Sequence, residues 1–192
     1  HDLRTPLTRI KLQLAFIKDK EISKKLSDDV NEMEKMLNEY LQFASIGAKD
    51  KTEKFDLSEL IENLINKYEN PNILKDFKKR IYFNGRKNLI QRCINNLIDN
   101  SMKYGEKTKI TIDKNISNIF ISIEDDGPGI SKSEYKNIIK PFYKIDKSRS
   151  ESKSSVGLGL AISSDIIKSH GGDMNFNKSI LGGLKVIISL PV

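Results

Sequence analysis

The chain has 192 residues, 38% hydrophobic and 31% charged, enough apolar material for one medium domain or a small domain joined to a larger one. Its single cysteine, Cys93, excludes an intramolecular disulfide framework and points to a reducing compartment. The net charge of +7 falls wholly in residues 51–192, because residues 1–50 carry nine Lys or Arg against nine Asp or Glu; with no zinc-finger spacing, aromatic nucleic-acid signature or basic helical arm, no nucleic-acid partner is expected.

Residues 3–17 place Leu3, Leu7, Ile10, Leu14 and Ile17 at alternating spacings of four and three, and residues 26–44 repeat this with Leu26, Val30, Met33, Leu37, Tyr40 or Leu41, and Ala44. This is an a/d seam on two successive helices joined by a polar stretch near residues 18–23. Seams this narrow bury little alone, so we expect an antiparallel hairpin that pairs with a second copy as a four-helix bundle. The chain opens on His1, without methionine and inside the first predicted helix, so the hairpin (residues 1–48) is read as shortened at its start and part of something longer. No apolar run approaches ~18 residues, so no membrane span or signal sequence is read here.

A linker is expected at residues 49–54, and a second domain at 55–192. Asp56 or Ser58 can cap a helix through Leu60, Leu64 and Ile65. A short strand is predicted at 80–84, a helix at 89–103, and half-buried strands at 108–113 and 118–124. A helix after Ser131, a long polar stretch, a helix over 158–169 and two strands turned at Gly182-Gly183 complete the chain. The fold class is α+β: a helical hairpin followed by an α/β sandwich with one helical layer.

Four places carry chemistry. On a helical wheel the seam lies within about 40° of Leu3, whereas His1 falls about 160° away, so His1 faces solvent with Asp2 beside it and Thr5 one turn on. An unprotonated imidazole nitrogen is a nucleophile near neutral pH, and a neighbouring carboxylate can take the other ring proton. In the 89–103 helix, Asn96, Asn100 and Lys103 form one polar stripe about 100–140° from the isoleucine face. A carboxamide oxygen suits Mg²⁺ and a lysine suits phosphate. Asp125-Asp126-Gly127-Pro128-Gly129-Ile130 sets a carboxylate at a strand end before glycines that let a flat ring approach the backbone. Gly157-Leu158-Gly159-Leu160 opens a helix whose free amides attract phosphate. His170 sits at a helix end before Gly171-Gly172, where capping is expected, and Cys93 is read as core.

In their order along the chain these stretches resemble the boxes of the sensor histidine kinases. His1-Asp2-Leu3-Arg4-Thr5-Pro6-Leu7 resembles the H-box, and the stretch from Asn96 to Tyr104 the N-box. Asp125 to Ile130 resembles the G1 box, Pro141-Phe142-Tyr143 the F-box, and Val156 to Ile162 the G2 box. The opening fifty residues and the close of the chain look closest to the osmosensing branch.

The resemblance implies a phosphotransfer hairpin followed by a Bergerat-type ATP-binding sandwich of the histidine kinase/Hsp90 kind, using ATP and Mg²⁺. It implies His1 as phosphoacceptor, Asp2 as general base, Arg4 within the catalytic motif, and Thr5 for dephosphorylation of the partner. Asn100 would bind Mg²⁺. Asn96, Lys103 and Tyr104 would line the phosphates, and Asp125 would read adenine beside Gly127, Gly129 and Ile130. Phe142, Tyr143, Lys144, Gly157, Leu158, Gly159 and Leu160 would frame the nucleotide, with residues 144–155 as a lid. The implied partners are a second copy and the receiver domain of a response regulator. The implied setting is the cytoplasmic portion of an inner-membrane protein whose membrane segment lies outside this chain. Two rivals stand beside this reading: an ATP-driven clamp of the same superfamily, and a binding-only scaffold.

Overall fold

A computed structural model describes the backbone of residues 4–17, 19–44, 50–145 and 157–192. Helix α1 (Arg4–Leu14) and helix α2 (Lys20–Ala44) fold back on each other. Leu7, Leu14 and Val30 are buried between them with Ile17 and Leu37 packed alongside, and Lys11 pairs with Glu34, which fixes the antiparallel sense. Helix α2 starts inside the polar stretch read as a turn, because Asp19 Oδ1 accepts the amides of Glu21 (3.0 Å) and Ile22 (3.1 Å) and so caps it. Among the described seam residues, Ile10, Leu26 and Met33 remain 39%, 40% and 52% exposed.

The remaining residues build one layered unit. Strand β1 (Glu53–Asp56) pairs antiparallel with β3 (Tyr82–Gly85); β1 thus starts two residues inside the segment expected to be linker. Helix α3 (Leu57–Lys67) follows, with Asp56 accepting the Glu59 amide at 3.0 Å. Ser58, the other candidate cap, instead donates to the Lys79 carbonyl (3.0 Å) and accepts from the Ile81 amide (3.1 Å), tying the helix to the β3 approach.

A second sheet has the order β2-β4-β5-β7-β6, formed by β2 (Ile73–Asp76), β4 (Thr108–Lys114), β5 (Asn118–Asp125), β6 (Asp173–Lys178) and β7 (Leu184–Pro191). The β2–β4 pair is parallel and the others antiparallel. Strand β2 escapes a pattern reading because only Ile73 of its four residues is buried. Helix α4 (Lys87–Tyr104) and helix α5 (Gly159–Lys168) pack together and join α3 over the sheet. Ile90, Cys93, Ile94, Leu97 and Ile98 of α4 meet Ile119, Ile121, Ile123, Ile166 and Ile167 in a single apolar core. Cys93 is fully buried there, and burial pushes its thiol up to about 12.

The helix expected after Ser131 is reduced to a 3-10 turn at Lys132–Glu134. Pro141 restricts the residue before it, and the Glu134 carboxylate accepts from the Tyr143 hydroxyl and the Asn137 amide, side-chain bonds that hold a run of turns. No helix among the described residues is long and apolar enough to cross a membrane.

His170 does more than end α5. Its Nδ1–H donates to the Ile166 carbonyl (2.8 Å), and its Nε2 accepts the Arg86 amide (3.0 Å), clasping the end of α5 to the start of α4. The bond from the Arg86 amide requires the neutral ring, because a protonated Nε2 has no lone pair to accept it. Burial, with the Arg86 charge adding to it, pushes the imidazole below its ordinary 6.5. Below that pH the unfolded chain binds the proton more readily than the folded one. The clasp therefore contributes its full stability above about pH 6.5 and loses it as the pH falls through the folded value. We expect the urea midpoint to drop more steeply between pH 7 and pH 5 in the parent than in His170→Gln; parallel profiles would refute the clasp.

Candidate active site

The predicted nucleotide-site residues lie mainly on α4, after the end of β5 and at the start of α5, with Tyr104 of α4 beside Gly127. Asp125 is the last residue of β5 and only 5% exposed. Its Oδ1 accepts the amides of Gly127 (2.9 Å) and Leu184 (3.1 Å), while its backbone carbonyl accepts the Gly183 amide (3.0 Å). Both side-chain bonds fall on one oxygen, Oδ1. Burial raises this carboxyl above its usual range, and the two amides work against that shift.

Asp126 behaves differently. It accepts the Glu106 and Lys107 amides, both at 2.8 Å, and is held below the usual carboxylate range by the Lys107 bond first. Adjacent acids thus hold different segments: Asp126 staples the α4–β4 loop, and Asp125 holds Gly127 and the β6–β7 turn.

Three glycines let the backbone pack closely around these two acids. A Cβ on Gly127 would lie 2.7 Å from the Tyr104 carbonyl oxygen, and one on Gly105 would lie 2.7 Å from Asp126 Oδ1. One on Gly183 would lie 2.0 Å from Asp125 Oδ1. Gly105 and Gly183 were missed as site residues. Gly182-Gly183 reads in the sequence only as a turn, and no local pattern says what that turn leans on.

The N-box and G2 stretches meet where Asn96 Nδ2 donates to the Gly159 carbonyl at 3.4 Å. Asn100 is half-buried one turn along the same stripe. The Lys103 ammonium lies 5.1 Å from the centre of the Tyr104 ring, which is 54% exposed. Gly157 accepts the Phe142 amide at 3.0 Å, so the two ends of the predicted lid are joined at its base. Phe142 stands in the left-handed region (φ 65°), half exposed, and Lys144 is half-buried. Leu158 is 2% exposed and Leu160 partly buried, so their side chains serve the core while their backbone opens α5. Ile130 packs at the core edge, and Gly129 has φ 69°.

His1, Asp2 and lid residues 146–155 lie outside the described residues, as do the side chains of Arg4 and Thr5, although both residues begin α1. Among the described residues there is no cluster of three or more His, Cys, Asp or Glu able to cage a metal. A divalent ion would depend on Asn100 and on oxygens brought by a ligand, the pattern usual for Mg²⁺ with phosphates.

Comparison with known proteins agrees with this layout. The model for the histidine kinase-, DNA gyrase B-, and HSP90-like ATPases matches residues 85–192, and that for the His Kinase A (phospho-acceptor) domain matches residues 1–49. The sensor histidine kinase GtrS of Pseudomonas aeruginosa is 29% identical over 198 residues, spanning 100% of this chain and 40% of GtrS. CpxA of Escherichia coli is 30% identical over 210 residues, spanning 100% of this chain and 45% of CpxA. The chain therefore covers less than half the length of these relatives. The Acinetobacter baumannii histidine kinase AdeS shares the fold with a TM-score of 0.63 at 22% identity, over 100% of this chain and 97% of that one. With the ATPase model matched over more than half of its residues and the phosphoacceptor model directly before it, the chain belongs to the two-component sensor histidine kinases.

Proposed function

We propose that this chain is the autophosphorylating core of its kinase. ATP enters the cleft with its base toward Asp125 Oδ2 and its phosphates toward the Asn96–Asn100–Lys103 stripe and the start of α5. Asn100 would hold Mg²⁺, which neutralises charge on the β- and γ-phosphates. A lone pair of the His1 imidazole attacks the γ-phosphorus, a nitrogen–phosphorus bond forms, and the bond to the β-phosphate oxygen breaks to release ADP. Asp2 receives or steadies the proton on the other ring nitrogen. Positioning and charge neutralisation carry such a transfer.

The phosphoryl group then passes to an aspartate of a response-regulator receiver domain, and Thr5 serves the reverse dephosphorylation. The exposed seam residues Ile10, Leu26 and Met33 are covered by a second copy in a homodimer. The core works on the cytoplasmic face, tethered by a segment outside this chain.

One observation carries the reading: a buried carboxylate with two amides on one oxygen, ringed by glycines, beside a stripe of carboxamides and a lysine. Incubation with γ-labelled ATP and Mg²⁺ should give a phosphoprotein stable in alkali and labile in acid, whose label chases onto a receiver domain. Steady phosphate release without phosphoprotein would identify an ATP-driven clamp instead.

A further inference from the structure

Next to Asp125 on β5 stands a second acid, Glu124, which the proposed chemistry does not use. It is 1% exposed. A carboxylate so deeply placed is costly unless each oxygen is satisfied. All its partners belong to the β6–β7 hairpin. Oε2 accepts the Ser179 hydroxyl (3.2 Å) and the Ile180 amide (3.4 Å), and Oε1 faces the Lys185 ammonium at 3.6 Å. Ser179, itself 4% exposed, uses the same oxygen to accept the Leu181 amide at 2.9 Å, so it locks the turn as it donates to Glu124.

Successive residues of a strand point to opposite faces, so Glu124 and Asp125 cannot touch each other through their side chains. The hairpin touches both. From one face of β5 it is gripped by Glu124 through Ser179, Ile180 and Lys185. On the other face its Leu184 amide holds Asp125 Oδ1, and Gly183 closes over it too tightly for any side chain.

We propose that Glu124 is a positioning residue for recognition of the base: it fixes the hairpin from which Leu184 and Gly183 orient the Asp125 carboxylate. This deepens the ATP reading above and rests on it. If the grip is released, the Leu184 amide drifts from Asp125, the carboxylate is free to rotate, and Oδ2 no longer points at an exocyclic amine. A purely structural role would weaken all nucleotides alike. A positioning role weakens the discrimination between nucleotides that have the amine and those that lack it.

The test compares Mg²⁺-dependent binding of ATP with that of purine riboside triphosphate, identical except that hydrogen replaces the 6-amino group, by titration calorimetry on the full chain. The parent should favour ATP by roughly tenfold or more, the worth of one hydrogen bond to a charged acceptor. In Glu124→Gln and Ser179→Ala this preference should fall to roughly threefold or less, with affinity for the amine-free nucleotide nearly unchanged. Ser179→Ala removes a single bond and no charge, and it carries the test should the Glu124 variant fail to fold. If both nucleotides weaken in parallel, or neither does, Glu124 is structural and the proposal is overturned. If the parent shows no preference, the assignment of Asp125 to adenine fails, and this inference with it.

Discussion

Replacing His1 with Gln should reduce phosphoprotein to background while leaving ATP-analogue binding within about twofold of the parent. Glutamine offers hydrogen-bonding atoms at similar reach but no nitrogen lone pair able to attack phosphorus. The nucleotide cleft is insulated from the change, because the hairpin and the sandwich have separate apolar cores: Leu7, Leu14 and Val30 in one, and the cluster around Ile94, Ile98, Ile121 and Ile166 in the other. The companion variant Asp2→Asn keeps the shape and removes the charge, and should slow labelling by about 10²- to 10⁴-fold, the usual range for a positioned general base. Quantifying acid-labile label per chain over time, beside a binding titration, checks both. Undiminished label in His1→Gln would remove His1 from the mechanism.

Gly183→Ala should damage stability and nucleotide binding together. The added methyl would sit 2.0 Å from Asp125 Oδ1, 2.5 Å from the Gly127 nitrogen and 2.7 Å from the Asp125 carbonyl oxygen. Two of these are backbone atoms, and the third belongs to a buried side chain held by two amides. Relief therefore requires the hairpin to lift off β5, breaking the Gly183–Asp125 backbone bond. Overpacking of this kind costs about 1–3 kcal/mol, and the lost Asp125 geometry should weaken ATP by at least about tenfold.

Gly182→Ala provides the contrast. Nothing lies within 4 Å of a Cβ there, but its φ of 117° disfavours any side chain. It should lose stability through backbone strain and retain nucleotide affinity. Urea unfolding and analogue titration on both variants separate the two effects. If Gly183→Ala binds ATP as the parent does, the hairpin is not a wall of the cleft.

The boundaries of the elements show where local chemistry is enough. Asp56 and Ser58 were both eligible caps by residue type and place, and tertiary structure uses Asp56 to cap α3. The alternating isoleucines of β4 and β5 and the apolar face of α4 were legible because each pattern has its own period and faces one core. Strands β1 and β2 were not, since four residues with one buried side chain each carry no periodicity. The segment after Ser131 looked helical and became turns because side-chain bonds to Glu134 and the restriction before Pro141 outweighed propensity.

For the site, residue type and spacing marked out the Asn96–Asn100–Lys103 stripe and the glycines opening α5, whereas the His1-Asp2 pair and the acid and glycines after β5 stood out only through their resemblance to the kinase boxes. Tertiary structure decided which of two adjacent acids is buried: Asp125 is 5% exposed and bound to the β6–β7 turn, whereas Asp126 staples the α4–β4 loop. It also decided that Gly183, more than fifty residues from Asp125, packs directly against it, and that Glu124 is gripped by the same hairpin. Chain order records what can be read within a turn of helix or a pair of strand residues. A contact between distant residues exists only once the sheet has brought β5 and β7 side by side.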